Sequence, residues 1–170
     1  MKENTISDLV VVEMTRQDFE VFWPTFQSII LAQETYAFDP DMSLEESYRI
    51  WCELPLKTLV VKQGEELLGT YYIKPNAAGP SKHICNCGYM VSERARGKGI
   101  ATLMCEHSQS LAVELGFTAM QFNSVISTNQ GAVRLWQKLG YSIIGTIPEA
   151  FDHPKLGLVD AYIMHKKLAG

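Results

Sequence analysis

The eleven residues Val91-Ser92-Glu93-Arg94-Ala95-Arg96-Gly97-Lys98-Gly99-Ile100-Ala101 constrain this chain more than any other stretch. The segment Ile84 to Val91 is apolar and reads as a strand, and a helical pattern starts near Gly99. A glycine-rich, basic turn between a strand and a helix start presents successive backbone N–H groups at the positive end of the helix. Glycine has no Cβ to hold a phosphate away from the backbone. Arg96 and Lys98 add charge, with Arg94 beside them. Each charge-assisted hydrogen bond contributes roughly 1.5–3 kcal/mol, so four or five hold a pyrophosphate even on an acidic protein. On local pattern alone an ordinary solvated turn remains the alternative. The spacing excludes a Walker loop, and the third glycine of a dinucleotide-binding fingerprint is missing.

The rest of the sequence supplies the frame for that loop. The chain has 170 residues, 46% hydrophobic and 20% charged. That balance suits one globular domain over 1–170, and it excludes disorder. The formal net charge of −4 argues against nucleic acid as a partner, because binding to phosphates asks for a basic surface. No stretch approaches the roughly 20 apolar residues of a membrane span, and residues 1–14 lack the apolar segment of a signal peptide. Cys85 and Cys87 would lie on one strand face without zinc-site spacing. They read as buried free thiols, with a redox role as the alternative. Reduced thiols without an export signal place the chain in the cytoplasm.

Thr15 with Asp18, and Ser43 with Glu46, are helix starts after the Leu9 to Met14 strand. The first helix runs through Phe19, Phe22, Phe26 and Ile30 with Pro24 inside it, and the second ends near Cys52. Strands follow at Thr58 to Lys62 and Leu67 to Ile73, joined by a hairpin at Gln63-Gly64-Glu65. After Ile84 to Val91 come a helix from Gly99 to Leu115, a strand from Ala119 to Val125 and a helix from Gln130 to Leu139. Strands at Tyr141 to Ile147 and Val159 to His165 close the chain. The order β-α-α-β-β-β-α-β-α-β-β predicts an α/β (α+β) fold, a mixed sheet covered by helices.

Two motifs in this frame resemble the GNAT acetyltransferases. Arg96-Gly97-Lys98-Gly99-Ile100-Ala101 matches the family's Arg/Gln-x-x-Gly-x-Gly/Ala signature. Asn129-Gln130-Gly131-Ala132, continuing to Leu139-Gly140-Tyr141, resembles its second signature. The resemblance implies a mostly antiparallel twisted sheet of about seven strands flanked by about four helices. It implies acetyl-CoA as cofactor, with the pyrophosphate on the N–H groups of Arg96, Gly97, Lys98, Gly99, Ile100 and Ala101. The strand at Tyr89, Met90 and Val91 would pair with the pantetheine arm, and an N–H near Met90 or Val91 would face the oxyanion. Asn129 would contact the cofactor and also fits a helix N-cap.

The resemblance further implies transfer of acetyl to an amine, a small-molecule amine above all. A protein or peptide acceptor and a non-catalytic acetyl-CoA-binding module are the alternatives. Trp136 stands where many members carry a tyrosine acid, and Tyr141 is expected to pack. Phe122 to Ile147 resembles the yeast acetyltransferases of proline analogues such as azetidine-2-carboxylate. By that likeness Asn123, an asparagine in mid-strand, would orient the substrate or polarise its reacting centre; a satisfied sheet asparagine is the alternative. Glu34, Thr35, Tyr36 and Phe38 lie where the family builds its acceptor pocket. Asp152-His153-Pro154 is a lesser candidate for that pocket, and His107 reads as a helix-surface residue. No metal site is assembled, and exposed edges at the C-terminal strands suit a homodimer.

Overall fold

The computed structural model describes residues 8–169. Seven strands form one sheet in the order β1-β2-β3-β4-β5-β7-β6: β1 (Leu9–Glu13), β2 (Lys57–Gln63), β3 (Glu66–Pro75), β4 (Ile84–Val91), β5 (Ala119–Ile126), β6 (Ser142–His153) and β7 (Gly157–Lys167). Every neighbouring pair is antiparallel except β4 with β5, which is parallel. The four helices are α1 (Arg16–Ala32), α2 (Leu44–Tyr48), α3 (Ile100–Glu114) and α4 (Gln130–Lys138). The predicted element order holds throughout.

Both capping boxes form. The Thr15 hydroxyl accepts the Asp18 N–H at 3.0 Å and the Asp18 carboxylate accepts the Thr15 N–H; Ser43 and Glu46 make the same exchange. Such caps satisfy donors that the first helical turn leaves open. The second helix departs from expectation. It keeps α geometry only to Tyr48, then widens into a π turn over Arg49–Glu53. That turn carries Trp51, which is fully buried.

The sheet has a separate core on each face. One face packs Phe19, Phe22, Phe26 and Ile30 of α1 against Trp51 and Met90. The other packs Tyr71, Cys85, Cys87 and Phe122 against Ile100, Met104 and Cys105 of α3 and Trp136 of α4. Period-two alternation sends successive residues of β4 to opposite faces, so Cys85, Cys87 and Tyr89 lie on the α3 side and Met90 on the α1 side. The cysteines at 52, 85, 87 and 105 are free thiols, and the last three are buried.

The C-terminal strands are longer than the sequence suggests, because irregularities absorb the breaks. Register shifts between Ile143 and Gly145 and between Ile147 and Phe151 carry β6 past Pro148, with Glu149 at φ 49. The predicted loop at Asp152-His153-Pro154 is therefore the end of β6 and its turn. His153 Nδ1 accepts the N–H groups of Lys155 and Leu156 there. Of the two C-terminal strands only β6 is a sheet edge, since β7 lies between β5 and β6. His107 is half-buried, its ring nitrogen 2.6 Å from the Tyr71 hydroxyl, and not the free surface residue the sequence suggests.

Candidate active site

The site begins where the sheet comes apart. β4 and β5 pair only at Ile84 with Ala119 and Cys85 with Met120. The Asn86 side chain makes the last link, donating from Nδ2 to the Gln121 carbonyl at 2.9 Å. Beyond it the strands diverge, and a cavity of about 850 Å³ opens between them. Tyr89, Met90 and Val91 of β4 line one wall, and Phe122 to Ile126 of β5 the other. Trp136 closes the α4 side, its ring 5.2 Å from Tyr89 and 5.1 Å from Phe122.

At one end lies the basic loop. Gly97 and Gly99 both sit at φ +76, a left-handed conformation that a Cβ disfavours. A Cβ built on either would meet no atom within 4 Å, so the space over the loop is open. Gly99 is the N-cap of α3 and no side chain caps that helix. Its first-turn N–H groups, which lack partners inside the helix, thus face the opening. A second cavity of about 260 Å³ is lined here by Val91, Arg96, Gly97, Gly99, Ile100 and Ala101. Arg94, Arg96 and Lys98 are exposed, and among the described residues none has an acidic partner. An uncapped helix start, two open glycines and unpaired cations fit the phosphates of a nucleotide cofactor.

The opposite end is closed by the loop after α1. Gln33 ends α1 in the left-handed conformation, φ 53, and turns the chain back across the sheet. Tyr36 and Phe38 then stack with centroids 5.2 Å apart, and both meet the Trp51 ring edge-on. Trp51 is fixed in turn by its indole N–H on the Thr70 hydroxyl and by Tyr72 at 4.9 Å. The Tyr36 hydroxyl donates to the Tyr89 carbonyl. Burial holds the Tyr36 phenol well above its usual value of 10, with Tyr72 adding to the effect. Burial also pushes Tyr72 up to about 12. Both stay neutral donors at neutral pH, and neither is a base.

Asn86 and Asn123 line the floor and are tied to the polar groups around them. Tyr72 donates to Asn86 Oδ1 at 3.1 Å, Gln121 Nε2 to Asn123 Oδ1 at 3.0 Å and Asn123 Nδ2 to Asn76 Oδ1 at 2.7 Å. The Tyr72 ring lies over Gly88, where a Cβ would come within 2.5 Å of it. Asn123 is not in the regular ladder that the sequence suggests. The β5–β7 register shifts between Phe122 and Val125, so Asn123 and Ser124 form a bulge. A bulge re-aims a side chain, which accounts for an asparagine in a strand.

The structure brings the sequence-derived residues together except for Lys98 and the Asp152-His153-Pro154 segment. Glu34, Thr35, Tyr36, Phe38, Asn123, Tyr89, Met90, Val91, Arg96 and Asn129 line the large cavity. Gly97, Gly99, Ile100 and Ala101 line the small one, and Lys98 lines neither. Asn129 does cap α4, accepting the Ala132 N–H at 3.3 Å. Tyr141 is buried in the core, stacked on Phe122 at 4.5 Å, as expected. Asp152 and His153 do not reach either cavity. Sequence reasoning missed Tyr72, Lys74 and Asn86. Asn86 carried a usable signal, an amide between two cysteines in mid-strand; Tyr72 and Lys74 carried none.

A split sheet with a glycine-rich basic turn at one end and an aromatic-lined pocket at the other fits an acyl-coenzyme A transferase. The Acetyltransferase (GNAT) family model matches residues 18–141, and the chain belongs to that family. It is 35% identical over 155 residues to the N-acetyltransferase aca1 of Schizosaccharomyces pombe, covering 89% of this chain and 68% of that one. A GCN5-related N-acetyltransferase from Kribbella flavida superposes with a TM-score of 0.90 at 38% identity, covering 95% of this chain and 99% of that chain. The protein yncA of Salmonella typhimurium, solved with its cofactor acetyl-CoA, shares the fold with a TM-score of 0.75 at 17% identity, over 95% of each chain. This chain is thus an acetyl-CoA-dependent N-acetyltransferase, as its motifs imply.

Proposed function

We propose that the chain acetylates the amino group of a small molecule, an amino acid or a cyclic amino acid of the proline-analogue kind. The observation that carries this reading is the roof. Tyr36 and Phe38, anchored on Trp51 and tied to β4, cover the end of the cavity where an acceptor must enter. An extended peptide needs an open groove, whereas a roofed pocket admits a compact amine. The likeness of Phe122 to Ile147 to the yeast proline-analogue acetyltransferases supports the narrower class.

Acetyl-CoA supplies an acetyl thioester, which the amine attacks directly. In this reading the N–H groups from Arg96 to Ala101 hold the pyrophosphate, while Tyr89, Met90 and Val91 offer the arm the edge that β5 leaves, with the Tyr89 carbonyl already held by Tyr36 and Asn129 alongside. Asn123, held by Asn76 and Gln121, orients the amine. An alkyl amine with a pKa of about 10.4 is neutral in fewer than about one molecule in a thousand at pH 7, so selection of the neutral form matters. Desolvation under the aromatic roof favours that form. The Trp136 indole N–H is too weak an acid to protonate a thiolate, and the thiolate of a thiol with pKa about 8.5 leaves with solvent as its proton source.

The test is release of free CoA from acetyl-CoA against amino acids, proline and azetidine analogues, polyamines and peptide N-termini. Turnover concentrated in the amino acids and their cyclic analogues supports the proposal. Turnover of peptides alone would overturn it and assign a protein acceptor.

A further inference from the structure

Among the described residues Lys74 is the one cation on the acceptor half of the large cavity, and the described contacts leave it without an acidic partner. Arg96, the other cation on that lining, belongs to the anion-binding loop. Three lysines elsewhere are engaged: Lys57 with Glu13, Lys62 with Asp18, and Lys166 with Gln109 and the Leu139 carbonyl. Lys74 instead sits with its ammonium 5.3 Å from the centre of the Tyr72 ring, which holds it at the wall by cation–π attraction.

Its neighbours present donors on the same side. Tyr72 and Lys74 alternate along β3 and share a face, and Lys74 lies opposite Asn86 in the register, with Asn76 just past the strand end. The Asn86 amide is oriented by necessity: its Nδ2 donates to a main-chain carbonyl, so its Oδ1 accepts from Tyr72. The Oδ1 atoms of Asn123 and Asn76 likewise accept from neighbouring amides. Each of these three side-chain oxygens already has a donor. One amide N–H of Asn86 and one of Asn123 remain on the lining with Lys74, and together with its positive charge they complement a carboxylate.

We infer that Lys74 is a specificity-determining residue that binds a carboxylate on the acceptor, so that the preferred substrate is an α-amino or α-imino acid and not its amide or its decarboxylated amine. The inference rests on the amino-acid reading above and adds to it the residue that holds the acceptor's carboxylate. Lys74 takes no part in the acyl transfer itself.

The experiment compares matched probes on the wild type, Lys74→Met and Lys74→Arg: L-proline with L-prolinamide and pyrrolidine, and L-leucine with L-leucinamide. Amide and acid differ in amine basicity, so the quantity read is the ratio of each variant to wild type for one probe, in which basicity cancels. Expected is a loss of about tenfold or more in kcat/KM for the acids in Lys74→Met, carried by KM. The amides should change less than about twofold, with Lys74→Arg recovering part of the loss. An unchanged KM for acetyl-CoA verifies that the variant is folded. Equal losses for acid and amide, or none for either, would overturn the carboxylate site. If wild type turns over only uncharged amines, the carboxylate site falls while small-molecule acetylation stands. If it turns over no small amine, both fall.

Discussion

The Tyr36 hydroxyl donates to the Tyr89 carbonyl at 2.7 Å, joining the loop after α1 to the strand that parts from β5. One hydrogen bond thus couples the roof of the acceptor pocket to the wall that the cofactor's arm would share. Tyr36→Phe keeps the stack on Phe38 and removes only the donor. A carbonyl left without a partner costs about 1–3 kcal/mol. Expected are a fall in Tm of roughly 2–4 °C per kcal/mol lost and an acceptor KM raised about tenfold, with little change for acetyl-CoA. Calorimetry and initial rates check both. An unaltered acceptor KM would show that the roof does not confine the acceptor.

Gly97→Ala and Gly99→Ala separate the folding role of the loop from its binding role. Each puts a Cβ on a residue at φ +76, at a cost of about 1–2 kcal/mol. Neither Cβ meets any protein atom within 4 Å, so folding survives. If the loop holds the pyrophosphate as proposed, the added methyl would stand in the path of its oxygens, and acetyl-CoA affinity should fall tenfold or more, about 1.4 kcal/mol. Titration calorimetry with acetyl-CoA decides; an affinity equal to wild type would remove the loop from the binding site.

Asn123→Ala breaks the links to Gln121 and Asn76 at the bulge. Because these bonds lie on an exposed wall, stability should shift by less than about 1 kcal/mol. A group that orients the amine acts on the rate, so kcat should drop about 10- to 100-fold while acetyl-CoA binding holds. A variant with normal kcat would mark Asn123 as a structural sheet amide.

The pH profile should belong to the substrate. Burial holds Tyr36 well above 10 and Tyr72 at about 12, so neither ionises below pH 10. With neither of these titrating, log kcat/KM should climb by about one per pH unit until the amine's own pKa. A probe amine of lower pKa should move the plateau down by the same amount. A fixed break near neutral pH, the same for every amine, would instead reveal a protein base.

Asp18 should contribute to acid unfolding. Burial alone would raise its pKa, but the Lys62 ammonium at 2.8 Å and the Thr15 N–H and hydroxyl outweigh it and hold the carboxyl below its usual range. With the folded pKa below the unfolded one, near 3.9, the stabilisation is complete above about pH 4 and is lost as pH falls through the folded value. Asp18→Asn should cost about 1 kcal/mol at pH 7 and flatten the acid limb below pH 4. Denaturant titrations at pH 7 and pH 3 test this, and parallel curves for the two proteins would exclude it.

The amino-acid order alone determined whatever depends on local chemistry. The helix starts at Thr15 and Ser43 and the glycine-rich basic turn before α3 are written in a few adjacent residues, and each stands where it was read. The two family signatures are contiguous runs, so the fold and the cofactor followed from them. The acceptor side was only partly legible, since its members are brought together from α1, β3, β4 and β5. Trp51 reaches the centre through a π turn, Asn123 leaves the ladder through a bulge, and Lys74 meets the cavity only because β4 and β5 part after two residue pairs. Those choices arise from packing both faces of one sheet at once, a constraint that no short window of sequence contains.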